Sequence, residues 1–207
     1  MNTFTGEEAI EFIKKTLDIK DNSENEQIKK LAEILQRFPL ALQQAVAYIK
    51  ERDREFKNIR KEYNISDYLK KYEEKIKELL DCEFPEESSD SYTKKTFVTW
   101  DITLDVIKQK EHGSLALKIL NTIAYFAPDN IPAKVFLGFE DIWIFRIKGG
   151  NEEELRSTIE LLKQYSMVSS ENEQSILNIH RLVQQVTRLK LKDQGNEEKT
   201  LREILGL

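Results

Sequence analysis

A mainly α-helical fold is predicted, with a small helical bundle followed by a second helical region carrying a short β-hairpin. Three observations predict it. Apolar residues recur at three- and four-residue spacing through most of the chain. Ser, Thr or Asn followed three residues later by Glu stands ahead of several of these runs, the pattern of a capped helix start. Only seven glycines and four prolines interrupt 207 residues.

The elements follow in order. Thr5-Gly-Glu-Glu8 reads as a capping box, with Ala9, Ile10, Ile13 and Leu17 at helical spacing behind it. Ser23-Glu-Asn-Glu26 repeats the pattern before Ile28, Leu31, Ala32 and Leu35. Pro39 suits the first turn of a third helix, where a missing N–H costs nothing, and Leu42, Ala45, Val46 and Ile49 share one side. The charged stretch from Lys50 to Lys61 leads to a fourth helix starting near Ser66, with Leu69, Tyr72, Ile76, Leu79 and Leu80 as its apolar positions. The Lys and Glu alternation here reads as a solvated helix face. Residues 1–82 are therefore expected to form the bundle. Residues 83–93, acidic, Ser-containing and with Pro85, are expected to connect it to a second domain.

That second domain is expected over 94–192. Val98, Ile102 and Val106 mark a helix over Lys95–Gln109, and another is expected over about Ser114–Tyr125. Pro132 is expected to start a short helix through Phe139. Asn151-Glu-Glu-Glu154 caps a helix carrying Leu155, Ile159, Leu162 and Tyr165. Two β-like runs, Met167–Ser169 and Ile176–Ile179, flank a polar stretch, and a helix from His180 to about Leu191 closes the domain. Helices followed by a small hairpin are the sequence form of a winged helix. Residues 193–207 read as a truncated C-terminal extension, the start of a following helical or repeat region.

Composition bounds the function. Apolar residues make up 40% and charged residues 33%, which suits a globular chain long enough to bury a core. The net charge of -5 argues against a general nucleic-acid surface. Cys82 is the only cysteine, which excludes an intramolecular disulfide or a thiolate metal cluster. No apolar run approaches a membrane span and no signal-peptide core opens the chain, so a cytoplasmic location is expected.

The chemistry of hydrolysis or group transfer is not visible. There is no Gly-x-x-x-x-Gly-Lys-Ser/Thr loop to cradle phosphates and no apolar strand ending in paired acids to hold magnesium. His112 and His180 stand far apart, and neither sits beside a recognisable Ser or Cys nucleophile. No enzyme activity, catalytic residue or metal ligand is expected within these residues. DNA binding, the usual association of a winged helix, fits poorly too. The helix before the hairpin carries Glu152, Glu153, Glu154 and Glu160 against Arg156 and Lys163, and the hairpin tip Glu171-Asn172-Glu173 is acidic.

Two short segments remain. Ile179-His180 ends an apolar run where a helix begins, a junction with unpartnered backbone N–H groups that favours anions. Arg37-Phe-Pro-Leu-Ala-Leu42 opens the third helix. From the residues alone, Pro39 reads as a helix starter and His180 as a cap or a partner for a buried carbonyl. Trp100 and Trp143 read as core or interface aromatics.

In three places the chain resembles the helical domain plus winged-helix domain of the STAND-class signalling NTPases, the NB-ARC group. The run Leu35-Gln-Arg-Phe-Pro-Leu-Ala-Leu-Gln-Gln-Ala-Val-Ala-Tyr-Ile49 resembles that family's Gly-Leu-Pro-Leu motif and the helix it opens. Thr99-Trp100-Asp-Ile-Thr-Leu104 with Ala116-Leu-Lys-Ile-Leu-Asn-Thr-Ile-Ala-Tyr-Phe-Ala-Pro-Asp-Asn-Ile-Pro132 resembles the start of the winged helix. Leu162-Lys-Gln-Tyr-Ser-Met-Val168 and Ile179-His-Arg-Leu-Val-Gln184 are similar to its wing and its Met-His-Asp-type motif. The wording is closest to members carrying tetratricopeptide or other repeats downstream.

The resemblance implies a nucleotide switch whose P-loop and magnesium site lie in an upstream nucleotide-binding domain. Phe38, Pro39 and Leu40 would face the nucleotide, with the Pro39 ring packing near its base. His180 would contact the β-phosphate of ADP in the resting state. Phe38 is taken to stand where the family's glycine is common, and Arg181 replaces the acid of the plant-type motif. The chain itself would carry no cofactor; the complete protein would hold ADP or ATP with Mg. Its partners would be the upstream domain, a downstream repeat sensor and further copies on activation, with no nucleic acid and no membrane. The rival is a stand-alone winged-helix interaction or transcription-regulating module.

Overall fold

The structure, a computed structural model, describes residues 3–20, 23–79, 91–136, 152–171 and 175–206. Among these the chain is mainly helical with a small three-stranded antiparallel sheet. It divides into two compact units, Met1–Thr103 and Leu104–Leu207.

The first unit contains α1 (Gly6–Leu17), α2 (Asn25–Ile34), α3 (Pro39–Lys57), α4 (Ile65–Leu79) and the leading part of α5 (Ser91–Ile107). Thr5 Oγ1 accepts the Glu8 N–H at 3.2 Å while the Thr5 N–H donates to Glu8 Oε2 at 2.7 Å, so the first capping box forms. The second does not take the expected form. The helix begins at Asn25, with Glu24 in the cap position and making no side-chain cap bond. Asn64 and Asp67 supply a reciprocal pair instead at the start of α4. The Asp67 N–H donates to Asn64 Oδ1 at 3.2 Å and the Asn64 N–H to Asp67 Oδ2 at 3.1 Å. Packing runs between α1 and both α2 and α3, and between α4 and both α2 and α3. Ile13, Ile28, Leu31, Leu42, Ile65, Tyr68 and Trp100 are fully buried there. Residues 83–90 of the expected connection lie outside the described residues, and 91–93 belong to the first turn of α5.

Two contacts fasten α5 to this unit. Lys75 Nζ lies 2.9 Å from Asp101 Oδ2, both side chains at least nine-tenths buried, and Lys95 Nζ donates to the Ile34 carbonyl at 2.6 Å.

The second unit holds α6 (Gly113–Ile123), β1 (Ile131–Pro132), a three-ten turn at Ala133–Phe136, α7 (Glu152–Gln164), β2 (Ser169–Glu171), β3 (Ile176–Asn178), α8 (Arg181–Asp193) and α9 (Glu197–Leu205). The strand order is β1-β3-β2, all antiparallel, with Ile131 opposite Leu177 and Ser170 opposite the same residue on the other side. Helix α6 packs against α7, α8 and α9. Ile119, Leu120, Ile123, Phe136, Ile159, Leu162, Leu177, Val183 and Val186 form the core.

Two expectations shift. Pro132 ends a strand rather than starting a helix. Ile131 is buried and pairs with β3, and an edge strand tolerates a residue without an N–H. The three-ten turn follows at once; Phe139, like the Asn151 cap, lies outside the described residues. The first hairpin strand begins at Ser169 rather than Met167. Ser166 adopts a left-handed φ of 55° and the Met167 N–H returns to the Leu162 carbonyl at 2.9 Å, so these residues close α7. The residues after Gln194 form α9, docked on α6 and α8.

Candidate functional site

The proline segment sits in the turn from α2 to α3. Gln36 and Arg37 both take left-handed φ, 52° and 56°, at a cost of about 1–2 kcal/mol for each side-chain-bearing residue. Every carbonyl at the end of α2 is accounted for. Leu31 O accepts from Leu35, Ala32 O from Arg37 at 2.8 Å, Glu33 O from Gln36 and Leu35 O from Phe38. The Ala32 and Glu33 bonds make the pattern of a Schellman closure. The Ile34 carbonyl is served by Lys95. From outside the turn, the Phe4 N–H donates to Arg37 O at 3.0 Å.

Phe38 has an ordinary φ of -76°, whereas the two residues before it, Gln36 and Arg37, take the conformation glycine favours. Phe38 and Leu40 are buried in the core of the first unit, whereas Pro39, at the first position of α3, is half-buried. Of the three, Pro39 keeps the most surface for a ligand.

His180 lies in the second unit, and each unit is described by itself. It is the cap residue of α8, extended at φ -68°, ψ 134°, and its Nδ1 accepts the Leu182 N–H at 3.1 Å. The Ile179 N–H donates to Pro128 O at 2.8 Å, which fixes the strand end that delivers the histidine. Because Nδ1 is an acceptor, the neutral ring carries its proton on Nε2 and can donate from there. Protonation would therefore break the cap, so a charged imidazole is not the form this junction favours. Desolvation lowers the pKa of His180 in the same direction, although the residue as a whole is solvent-exposed. Its folded pKa lies below its unfolded one, so the unfolded chain takes up the proton first as pH falls past about 6.5. The second unit should lose stability as pH drops through that value and on to the lower folded pKa. In His180→Asn, which caps without titrating, urea midpoints measured from pH 7 to pH 5 should show a shallower decline. An equal slope would remove His180 from the account.

Helix α8 also closes the end of α6. The buried Gln184 donates from Nε2 to Ile123 O at 2.8 Å and to Phe126 O at 2.9 Å, and the Arg188 guanidinium donates to Ala124 O. Gln184→Leu should cost about 1–3 kcal/mol in urea unfolding, since the Phe126 carbonyl loses this donor and the Ile123 carbonyl is left with the Phe126 N–H at 3.2 Å. A cost near zero would mean that other donors reach them. Neither Gln184 nor Arg188 is distinguished by sequence spacing. Their task shows only once α6 and α8 are seen side by side.

Elsewhere, a cleft of about 580 Å³ in the first unit is lined by Lys15, Lys50 and Lys57 against Asp18, Asp53 and Glu62. Asp53 is occupied with Lys57 at 2.6 Å and the Tyr63 N–H at 3.2 Å. Among the described residues, no group of three or more His, Cys, Asp or Glu could hold a metal ion. No helix there is long and apolar enough to cross a membrane.

Residues 108–196 match the family model for a domain of unknown function (DUF7779). The match takes in α6, the sheet, α7 and α8, and so includes His180; it ends before α9 and does not reach Pro39. No curated protein matches the chain.

Proposed function

We propose that this chain is the helical plus winged-helix portion of a STAND-class signalling NTPase of the NB-ARC group. In the resting protein it closes over ADP held by an upstream P-loop domain. On exchange for ATP the winged-helix unit swings away and permits assembly and signalling. The observation that carries the reading is the junction at His180. An exposed imidazole, its Nδ1 committed to the helix cap, offers Nε2–H as a neutral donor at a helix N-terminus, where a phosphate is favoured. The half-buried Pro39 ring at the start of α3 supports a second, apolar contact near the base.

Chain order supports the winged-helix assignment: α6, β1, α7 and the β2–β3 hairpin, with the first strand laid against the last. The surface of α7 favours a protein or nucleotide role over a duplex contact. Its basic residues are held by its own acids, Arg156 by Glu152 at 3.8 Å and Lys163 by Glu160 at 3.0 Å. Glu152 to Glu154 fill its first turn.

The chain alone should bind ADP weakly or not at all, because the phosphate cradle belongs to the upstream domain. In the protein that includes that domain, His180→Ala should speed ADP release about tenfold and favour the active state. Unchanged release and activity would sink the switch role. The upstream reading frame offers a prior check. A P-loop within a few hundred residues supports the switch, and its absence, or salt-dependent DNA binding by the chain, supports the regulatory module instead.

A further inference from the structure

We propose that Lys95 is a positioning residue for the proline turn: its ammonium, reaching from α5 to the Ile34 carbonyl, holds the left-handed Gln36–Arg37 bend that presents Pro39. The bond is 2.6 Å long. The carbonyls of Leu31, Ala32, Glu33 and Leu35 are served from within the turn by residues 35 to 38, whereas Ile34 is served by Lys95. A cation at a helix C-terminus also complements the negative end of the helix dipole.

The bend needs outside support. Two successive side-chain-bearing residues in left-handed conformation persist only where surrounding contacts over-determine them. Two contacts come from beyond the turn: the Phe4 N–H on the Arg37 carbonyl and Lys95 on the Ile34 carbonyl. Lys95 is half-buried, and the same desolvation that lowers its pKa strengthens a hydrogen bond made there. Phe97 and Trp100, both buried, and Asp101, paired with Lys75, seat the same stretch of α5 within the first unit. Within the first unit, a displacement of this part of α5 therefore has a direct route to Pro39.

Hydrogen exchange on the intact chain tests this. Lys95→Met keeps the apolar stem and removes the donor. The Arg37 and Phe38 amides, bonded to Ala32 and Leu35, should exchange about tenfold faster or more. Amides inside α6 serve as the unchanged reference. Lys95→Arg, which restores a charged donor, should recover most of the protection, a rescue that loss of packing alone would not give. Unchanged exchange in Lys95→Met, or no rescue by arginine, overturns the assignment. The consequence for nucleotide rests on the reading above and is measured separately. In the protein with its P-loop domain, Lys95→Met should also speed ADP release. Faster exchange of the turn with unaltered ADP release would uphold Lys95 and overturn the nucleotide role of Pro39.

Discussion

Lys75→Met is expected to destabilise the first unit by about 3–5 kcal/mol, the range for removing one partner of a buried ion pair. The Asp101 side chain is 4% exposed, and without the ammonium 2.9 Å away its carboxylate stays in a place where solvent cannot replace it. The opposite change is milder. In Asp101→Asn, Lys75 keeps its 3.2 Å contact with the exposed Glu78 carboxylate, so a smaller loss is expected. The double change Lys75→Met with Asp101→Leu should recover much of the stability, because matched apolar groups can replace a buried pair at little cost. Urea unfolding followed by Trp100 fluorescence on a Trp143→Phe background measures all three. A double variant no better than Lys75→Met would show that the site does not tolerate apolar repacking. A Lys75→Met loss below about 1 kcal/mol would show that the pair behaves as a surface bridge.

Gly113→Ala should cost about 3 kcal/mol or more in the second unit, against the ordinary trend. Alanine normally stabilises a helix relative to glycine by about 0.5–1 kcal/mol. Here an added Cβ would lie 2.1 Å from the Ile107 carbonyl oxygen and 3.1 Å from its carbon. Both are backbone atoms and cannot swing aside. The bend between α5 and α6 is closed by Lys110 N–H on Ile107 O at 3.0 Å and Gly113 N–H on Lys110 O at 2.9 Å, with His112 at φ 61°. Relieving the clash would open that bend, an overpacking cost at the upper end of its usual range. The sign of the stability change measured in urea decides the matter, and a stabilised alanine variant would rule out so close an approach.

Local rules legible in the sequence carried the helices where they acted alone. The Thr5 box and Pro39 at the head of α3 need only neighbours within one turn, and both form as read. The rules failed where a distant partner, or a backbone closure that side-chain types do not announce, decided. Pro132 carries a helix-start signal, but Ile131 is drawn into the sheet by Leu177, 46 positions further on. Met167 and Val168 look like strand residues by composition, yet they are buried where α7 closes. The candidate site divides the same way. Pro39 and His180 were legible because each marks a helix start. The left-handed bend at Gln36 and Arg37 was not legible, since no side-chain pattern announces a positive φ there. Lys95 gave no sign at all, because its role depends on a carbonyl 61 positions away.

The closure of α6 by α8 limits how His180 can travel. Gln184 and Arg188 stand one turn apart and together serve three carbonyls at one helix end. A slide of α8 by even one residue, about 1.5 Å along its axis, would disengage both donors at once. The two helices thus behave like a key in a lock that turns but does not slip. His180, at the head of α8, can therefore shift along that axis only when α6 moves with it.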